Sequence, residues 1–202
     1  MHDAATKSEG LRERKRVQTL QRISEAGLKL FVAKGYEATT LDEIAAAAGI
    51  SRRTFFYYFD SKEDILLAYV DGFADELKAL VIENASSGSP LNIVRDALVK
   101  LVAPHRDAQM LATARIVRQS QTLRARNQGK LLLLERAVFA GLCELWPKKD
   151  NRDRWRLVAM MSVGTLRLAV DAWIEQDGRR PLAKYFQEMF RKLKTEDLSD
   201  AN

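Results

Sequence analysis

Two adjacent arginines follow a serine at residues 51–53, an arrangement suited to reading a nucleic acid. An arginine can donate two hydrogen bonds to the O6 and N7 atoms of guanine, which discriminates among base pairs by about 1–3 kcal/mol. The Ser51 hydroxyl can cap a helix, and this cap would place Arg52 and Arg53 at the leading end of that helix. We therefore predict that both arginines contact base edges in the major groove of double-stranded DNA.

The residues that follow are predicted to contact the phosphate backbone. Thr54, Tyr57 and Tyr58 carry hydroxyl groups, and Lys62 lies near the start of the next helix, whose positive end favours a phosphate. Phe56 is also included among the DNA contacts, although for Phe56 and Tyr57 a purely structural role in packing helix against helix is equally open. Two further aromatic residues are predicted to pack inward: Phe55 and Phe59.

Residues 40–62 predict the elements that would position these side chains. Thr40 and Glu43 have the spacing of a capping box, so a short helix begins there. Gly49 suits the left-handed backbone that ends a helix, and Ser51 caps the next one. Ser61 and Asp64 repeat the capping pattern for the helix that follows. These signals predict a helix-turn-helix motif, and Thr40 and Ser51 are counted with the DNA contacts.

Composition and periodicity predict an all-α protein. The chain has 202 residues, 47% of them hydrophobic, and apolar residues recur at three- and four-residue spacing rather than alternating. One cysteine, Cys143, excludes an internal disulfide and favours a reducing cytoplasm. No apolar run is expected to reach the roughly 18 residues of a membrane span. The net charge of +6 is moderate and does not by itself indicate a function.

The chain divides into a tail and two helical domains in this interpretation. Residues 1–11 are polar and without apolar periodicity, which predicts a disordered tail. Residues 12–62 form a three-helix, DNA-binding helix-turn-helix domain, and residues 63–202 form a larger helical domain. Two segments of the larger domain, 129–146 and 152–176, are apolar over so much of their circumference that a second copy of the chain is predicted to cover them.

A set of residues at fixed spacing extends from about Val17 to Asp71. Its members are Phe31, Gly35-Tyr36, Thr39-Thr40, Ile44-Ala45, Ala48-Gly49-Ile50-Ser51, Thr54, Tyr57, Phe59 and Lys62-Glu63-Asp64-Ile65. This set resembles the DNA-binding domain of the TetR family of bacterial transcriptional regulators. The family often has glycine where this chain has Arg53 and tyrosine where it has Phe56. These two differences bear on the base contacts rather than on the fold.

The resemblance implies more than the motif does. It implies a homodimeric repressor that occupies a near-palindromic operator and leaves it when a small molecule binds the second domain. It also implies that the dimer interface is a four-helix bundle built from the two apolar segments, 129–146 and 152–176. Activation of transcription, DNA binding without an effector, and a helical interaction protein without a DNA role remain as alternatives.

The effector pocket is less well defined by the sequence. Aromatic and methionine side chains that can line an apolar pocket are Phe139, Met160, Met161 and Trp173, although at helical spacing they equally fit an ordinary core. Arg115 and Arg167 can anchor an anionic ligand, but an ion pair between Arg167 and Asp171, one turn apart, is the preferred reading. Residues 173–182 resemble the corresponding segment of some regulators that sense acyl thioesters.

Catalysis finds little support in the sequence. The two histidines, His2 and His105, do not have the spacing of a metal site or a catalytic triad. Cys143 lies on an apolar helix face and is predicted to be a core residue. We predict no enzyme activity, no cofactor and no metal site.

Overall fold

The computed structural model describes residues 3–68, 72–86, 88–103, 108–148 and 151–195. The regular elements in these ranges are helices, with no strand among them, which confirms the predicted all-α class. The helices are α1 (Asp3–Lys34), α2 (Leu41–Ala47), α3 (Arg52–Tyr58), α4 (Lys62–Ala68), α5 (Phe73–Glu83), α6 (Pro90–Val102), α7 (Ala108–Gln119), α8 (Gln121–Leu145), α9 (Arg152–Glu175) and α10 (Leu182–Thr195). They form two compact units, Met1–Tyr69 and Val70–Asn202.

The first unit is built from α1 to α4 around a small apolar core. Each helix contributes at least one fully buried side chain to it: Ile23 and Phe31, Ile44, Phe55, and Ile65 with Leu66. Gly27 allows α1 and α4 to pack closely, because a Cβ at this position would lie 2.9 Å from Cδ1 of Ile65. The unit extends beyond the predicted domain of residues 12–62, since α4 packs on α1.

Helix α1 begins at Asp3, whereas the sequence predicted a disordered tail over residues 1–11 and a helix from Arg12. The prediction relied on the lack of apolar periodicity before Arg12. Periodicity reports which face of a helix is buried, but the backbone hydrogen bonds of a helix form without a buried face. Ala4, Ala5 and Lys7 are also good helix formers, so the helix continues through them.

The second unit has its core between α5, α6, α8, α9 and α10. Its largest fully buried side chains include Leu77 of α5, Ile93 and Leu98 of α6, and Phe186 and Phe190 of α10. Helices α5 and α8 approach closely at Gly141, where a Cβ would lie 2.9 Å from Cγ1 and 3.2 Å from Cβ of Val81. Residues 129–146 and 152–176, singled out for their apolar content, lie mostly in α8 and α9.

Replacing Gly141 with alanine is expected to destabilise the second unit. The new methyl group would press on the branched Val81 side chain, and overpacking of this kind costs about 1–3 kcal/mol. Gly129, in the same helix, has no atom within 4 Å of its Cβ position, so Gly129→Ala should stabilise by roughly 0.5–1 kcal/mol. Denaturation midpoints of the two variants test this. A higher midpoint for Gly141→Ala would show that α5 and α8 are not in close contact there.

The start of α8 differs from the apolar segment predicted from residue 129. Helix α8 begins at Gln121, directly after α7 ends at Gln119. Ser120 accepts a hydrogen bond from the Leu123 amide, a cap that was not recognised in the sequence. Gly72, in the left-handed region (φ +87°), stands at the start of α5.

Helix α9 is long and apolar enough, by length and composition alone, to cross a membrane, whereas no segment was expected to reach that limit. Arg167 and Asp171 interrupt the apolar run, so no uninterrupted stretch of α9 reaches 18 residues, although the average hydropathy of the segment is high. Trp155, Val163 and Trp173 of this helix are buried in the core of the second unit. A core position explains the apolar inner face of α9 without a lipid bilayer.

Candidate nucleic-acid interface

Helices α2 and α3 form the predicted turn. The Thr40 hydroxyl accepts a hydrogen bond from the Glu43 amide, and the Thr40 amide donates to Glu43 Oε2 at 2.9 Å, so the predicted capping box is present. Gly49 has φ +65°, and the amide of Ile50 donates to the Ala45 carbonyl at 3.0 Å, which satisfies a carbonyl at the end of α2. The local sequence signals therefore determine this turn.

The start of α2 also carries a strongly acidic carboxylate. A hydrogen bond from Lys34, followed by those from the Thr40 amide and hydroxyl, lowers the pKa of Glu43 to about 2. Glu43 therefore keeps its charge and its capping bonds in neutral and mildly acidic solution. The Thr40 hydroxyl is hydrogen-bonded to the Glu43 carboxylate, so Thr40 has a structural role in positioning α2. Its predicted contact with DNA would come in addition to that role.

Helix α3 has an inner face, whose residues are spaced four apart, and an outer face. Phe55 and Phe59 are buried, as predicted, and hold the helix on the core of the first unit. Phe56 and Tyr57 point outward and are 46% and 76% exposed, so the purely structural alternative is not favoured for either. Ser51 caps the helix, accepting from the Thr54 amide at 3.0 Å. The outer face thus presents aromatic side chains next to the arginine pair.

The two arginines differ in their surroundings. Nη1 of Arg52 lies 3.1 and 3.3 Å from the carboxylate oxygens of Asp42 in α2, and its guanidinium lies 5.8 Å from the centre of the Phe56 ring. Arg53 is exposed and forms no hydrogen bond or ion pair with the other residues that the structure describes. The pairing with Asp42, which lies in the first turn of α2 about two turns before Gly49, was not predicted from the sequence.

Lys62 is bonded within the first unit. Its ammonium group donates to the carbonyls of Tyr36, Glu37 and Thr39 at 2.8, 3.3 and 3.1 Å. It also lies 4.4 Å from the centre of the Tyr36 ring. An ammonium has three N–H donors, so each has a partner inside the first unit. In this structure Lys62 is held inward by these carbonyls, and its predicted phosphate contact stays a prediction.

The remaining predicted contacts, Thr54 and Tyr58, are half-buried. The Thr54 hydroxyl lies 2.8 Å from that of Ser51. The ring of Tyr58 stands edge-on to that of Tyr57, with 5.1 Å between their centres. Both residues border the outer face of α3 rather than forming its centre.

The six residues predicted to line an effector pocket do not converge. Met160 and Met161 are 57% and 42% exposed and Arg167 is exposed, all on the outer side of α9. Trp173 lies on the opposite, buried side, where its Nε1 donates to the Arg180 carbonyl at 3.1 Å. Side chains on opposite faces of one helix cannot line one cavity within a subunit, so the predicted set is wrong as a single pocket.

The other two members of that set also have structural partners. Arg115 forms an ion pair with Asp177, next to the end of α9, which accounts for its charge without a ligand. Phe139 is half-buried, and the guanidinium of Arg152 lies 5.3 Å from the centre of its ring. The preferred ion pair between Arg167 and Asp171 is not among those formed within the described ranges.

Cys143 is packed against the core of the second unit, as predicted. His2 and His105 lie outside the described residues.

An exposed, positively charged helix that follows a tight turn and is held by buried aromatic residues defines a helix-turn-helix DNA-binding domain. The model of the family described as bacterial regulatory proteins, tetR family, matches residues 23–69. This segment of the chain therefore matches the DNA-binding domain of the TetR family of bacterial transcriptional regulators.

Similar proteins support this assignment. The HTH-type transcriptional regulator TcmR of Streptomyces glaucescens is 33% identical over 101 residues, which cover 50% of this chain and 45% of TcmR. The fatty acid metabolism regulator protein of Bacillus subtilis is 24% identical over 84% of this chain and 90% of its own length. The chain thus spans about half the length of TcmR but most of the length of the Bacillus protein.

Among solved structures, Thermus thermophilus FadR, a TetR-family transcriptional repressor in complex with lauroyl-CoA, is similar to this chain. It is 25% identical, with 91% of this chain and 97% of FadR covered and a TM-score of 0.57. The similarity therefore extends through both helical units and is not confined to the DNA-binding domain.

Proposed function

We propose that this protein is a transcriptional repressor that binds a near-palindromic operator in the cytoplasm as a homodimer and leaves it when a small molecule binds. The observation that carries the proposal is the outer face of α3, which presents Arg53, Phe56 and Tyr57 to solvent at the position where a recognition helix enters the major groove. The family assignment and the repressor relatives support the same reading.

The apolar surface of the second unit supports the homodimer. Six exposed large hydrophobic residues lie on α8 and α9: Leu132, Leu133, Leu157, Met160, Met161 and Leu168. Exposed large apolar residues on two helices that pack against each other indicate a protein interface, and we expect a two-fold copy of the chain to cover them. The Met160 and Met161 positions then serve the interface instead of an effector pocket.

A long-chain acyl thioester is the effector class that we propose. FadR of Thermus thermophilus binds lauroyl-CoA and is similar to this chain over almost its whole length. Within the second unit, the buried hydroxyl of Ser162 has no hydrogen-bond partner among the described residues. A buried polar group of this kind is costly unless a ligand or water satisfies it. An effector that enters this core would find a polar anchor there.

Footprinting on the genomic DNA of the native organism tests the proposal. We expect protection of an inverted repeat whose half-sites are about 34–36 Å apart, in excess competitor DNA. Lauroyl-CoA should release the protein from this repeat, whereas free coenzyme A should not. Protection without sequence preference would replace the proposal by non-specific DNA binding. If the protein protects a specific repeat but acyl thioesters do not release it, the proposed repressor function stands and the proposed effector class is wrong.

A further inference from the structure

We propose that Lys62 is a positioning residue that ties the start of α4 to the turn before α2, and that it contributes to DNA binding without contacting DNA. This inference rests on the proposed function only for its effect on DNA affinity. Lys62, Glu63 and Tyr36 are here called the α4 latch. In this cluster Nζ of Lys62 lies 4.4 Å from the centre of the Tyr36 ring, over its face. Oε1 of Glu63 accepts a hydrogen bond from the Tyr36 hydroxyl at 2.6 Å.

The latch acts on a turn that is itself tightly bonded. Lys62 donates to the carbonyls of Tyr36, Glu37 and Thr39, which are three of the four residues between Gly35 and Thr40. The Thr39 hydroxyl is buried and donates to the Gly35 carbonyl at 2.7 Å. One cation therefore satisfies three carbonyls that no helix can pair, in a segment only four residues long.

The position of α2 follows from this turn. Thr40, the cap of α2, comes directly after Thr39, so an error in the turn would move the start of α2. Helix α2 in turn holds Arg52 of α3 through Asp42, at 3.1 Å. The latch is thereby linked through two short helices to the surface proposed to enter the major groove. Its expected role is to fix the angle at which that surface is presented.

The salt dependence of DNA binding separates this role from a phosphate contact. A lysine that neutralises a phosphate changes the slope of log K against log salt by about 0.9, or about 1.8 for the two subunits of a dimer. We expect Lys62→Met to lower operator affinity while leaving this slope unchanged. A slope reduced by about 1.8 would overturn the proposal and restore the phosphate contact. Lys29→Met, at an exposed lysine of α1, controls for the loss of one charge.

The conservative variant Lys62→Arg also distinguishes the positioning role from a phosphate contact. Arginine binds phosphates at least as well as lysine, so Lys62→Arg should keep its affinity if residue 62 contacts DNA. The planar guanidinium cannot direct three donors to three carbonyls around one point, so the latch predicts lower affinity for Lys62→Arg as well. Full affinity in this variant would contradict the latch.

Amide hydrogen exchange tests the latch without DNA, and thus independently of the proposed function. In Lys62→Met, the amide of Thr39, which donates to the Tyr36 carbonyl at 3.3 Å, should exchange faster, whereas the α8 amides should not change. Unchanged exchange at Thr39 would overturn the proposal.

A measurement on the unmodified protein covers the case in which Lys62→Met does not fold. The Lys62 ammonium should give an NMR signal protected from exchange with water, at the same position with and without DNA. A signal seen only in the DNA complex would overturn the proposal.

Discussion

Replacing Arg53 with alanine should remove the preference for one base pair in each half-site of the operator. Arg53 is exposed at the leading end of α3 and has no partner among the described residues, so its guanidinium is available to a base edge. Loss of a bidentate contact to guanine costs about 1–3 kcal/mol, which corresponds to roughly a 5- to 150-fold loss of discrimination. Binding to the operator and to single-base variants of it measures the effect.

Arg53→Lys is the matched control, because lysine keeps the charge but not the planar pair of donors. We expect it to lose base discrimination like the alanine variant while retaining the salt dependence of the wild type. If instead Arg53→Lys discriminates as well as the wild type, Arg53 contacts a phosphate and the assignment of the base contact is wrong.

Arg52 is expected to have a smaller effect than Arg53. A base contact by Arg52 must first break its exposed ion pair with Asp42, and exposed pairs contribute about 0–1 kcal/mol, so the effect should be reduced by an amount of that size. The same carboxylate would also repel an approaching phosphate. The pair therefore explains how two adjacent arginines in one helix can differ in their availability to DNA.

Replacing Leu168 with glutamate should separate the proposed dimer into monomers. Leu168 is 53% exposed on the outer side of α9, and two-fold symmetry would bring the new carboxylate into the interface twice. Because linked half-site binding raises avidity by about 10²–10⁴, the operator affinity should fall by a similar factor. Sedimentation measures the assembly state, and DNA binding measures the consequence.

Val32→Glu provides the control for this experiment, since Val32 is an exposed apolar residue of α1 in the first unit, outside the proposed interface. It should sediment as a dimer and unfold at a midpoint near that of the wild type, whereas Leu168→Glu loses the stabilisation that dimerisation gives to the folded state. A Leu168→Glu protein that remains dimeric would show that the subunits associate through another surface.

Most of the first unit could be predicted from the sequence, because its signals are local. The capping box at Thr40 and Glu43, the left-handed Gly49 and the cap at Ser51 each act within a few residues, so spacing alone identifies them. The inward packing of Phe55 and Phe59 followed from helical periodicity. Helical periodicity also made the all-α class and the extent of α9 predictable.

The roles of single charged side chains required the tertiary structure. Lys62 meets carbonyls that lie 23 to 26 residues earlier in the chain, and Arg52 meets a carboxylate ten residues away across a turn. No local pattern reports such partners, because a long flexible side chain reaches whatever the fold places beside it. The sequence could show that a cation was present, but not whether its donors were free.

The sequence by itself determined the class of fold and the turn that presents α3, since hydrogen bonds between near neighbours in the chain specify both. Only the tertiary structure decided which apolar residues of α8 and α9 face the core and which face solvent. Trp173 and Met160 look alike in a hydropathy pattern, yet one is buried and the other is 57% exposed. Burial depends on which helices pack against each face, and that information is distributed over the whole second unit.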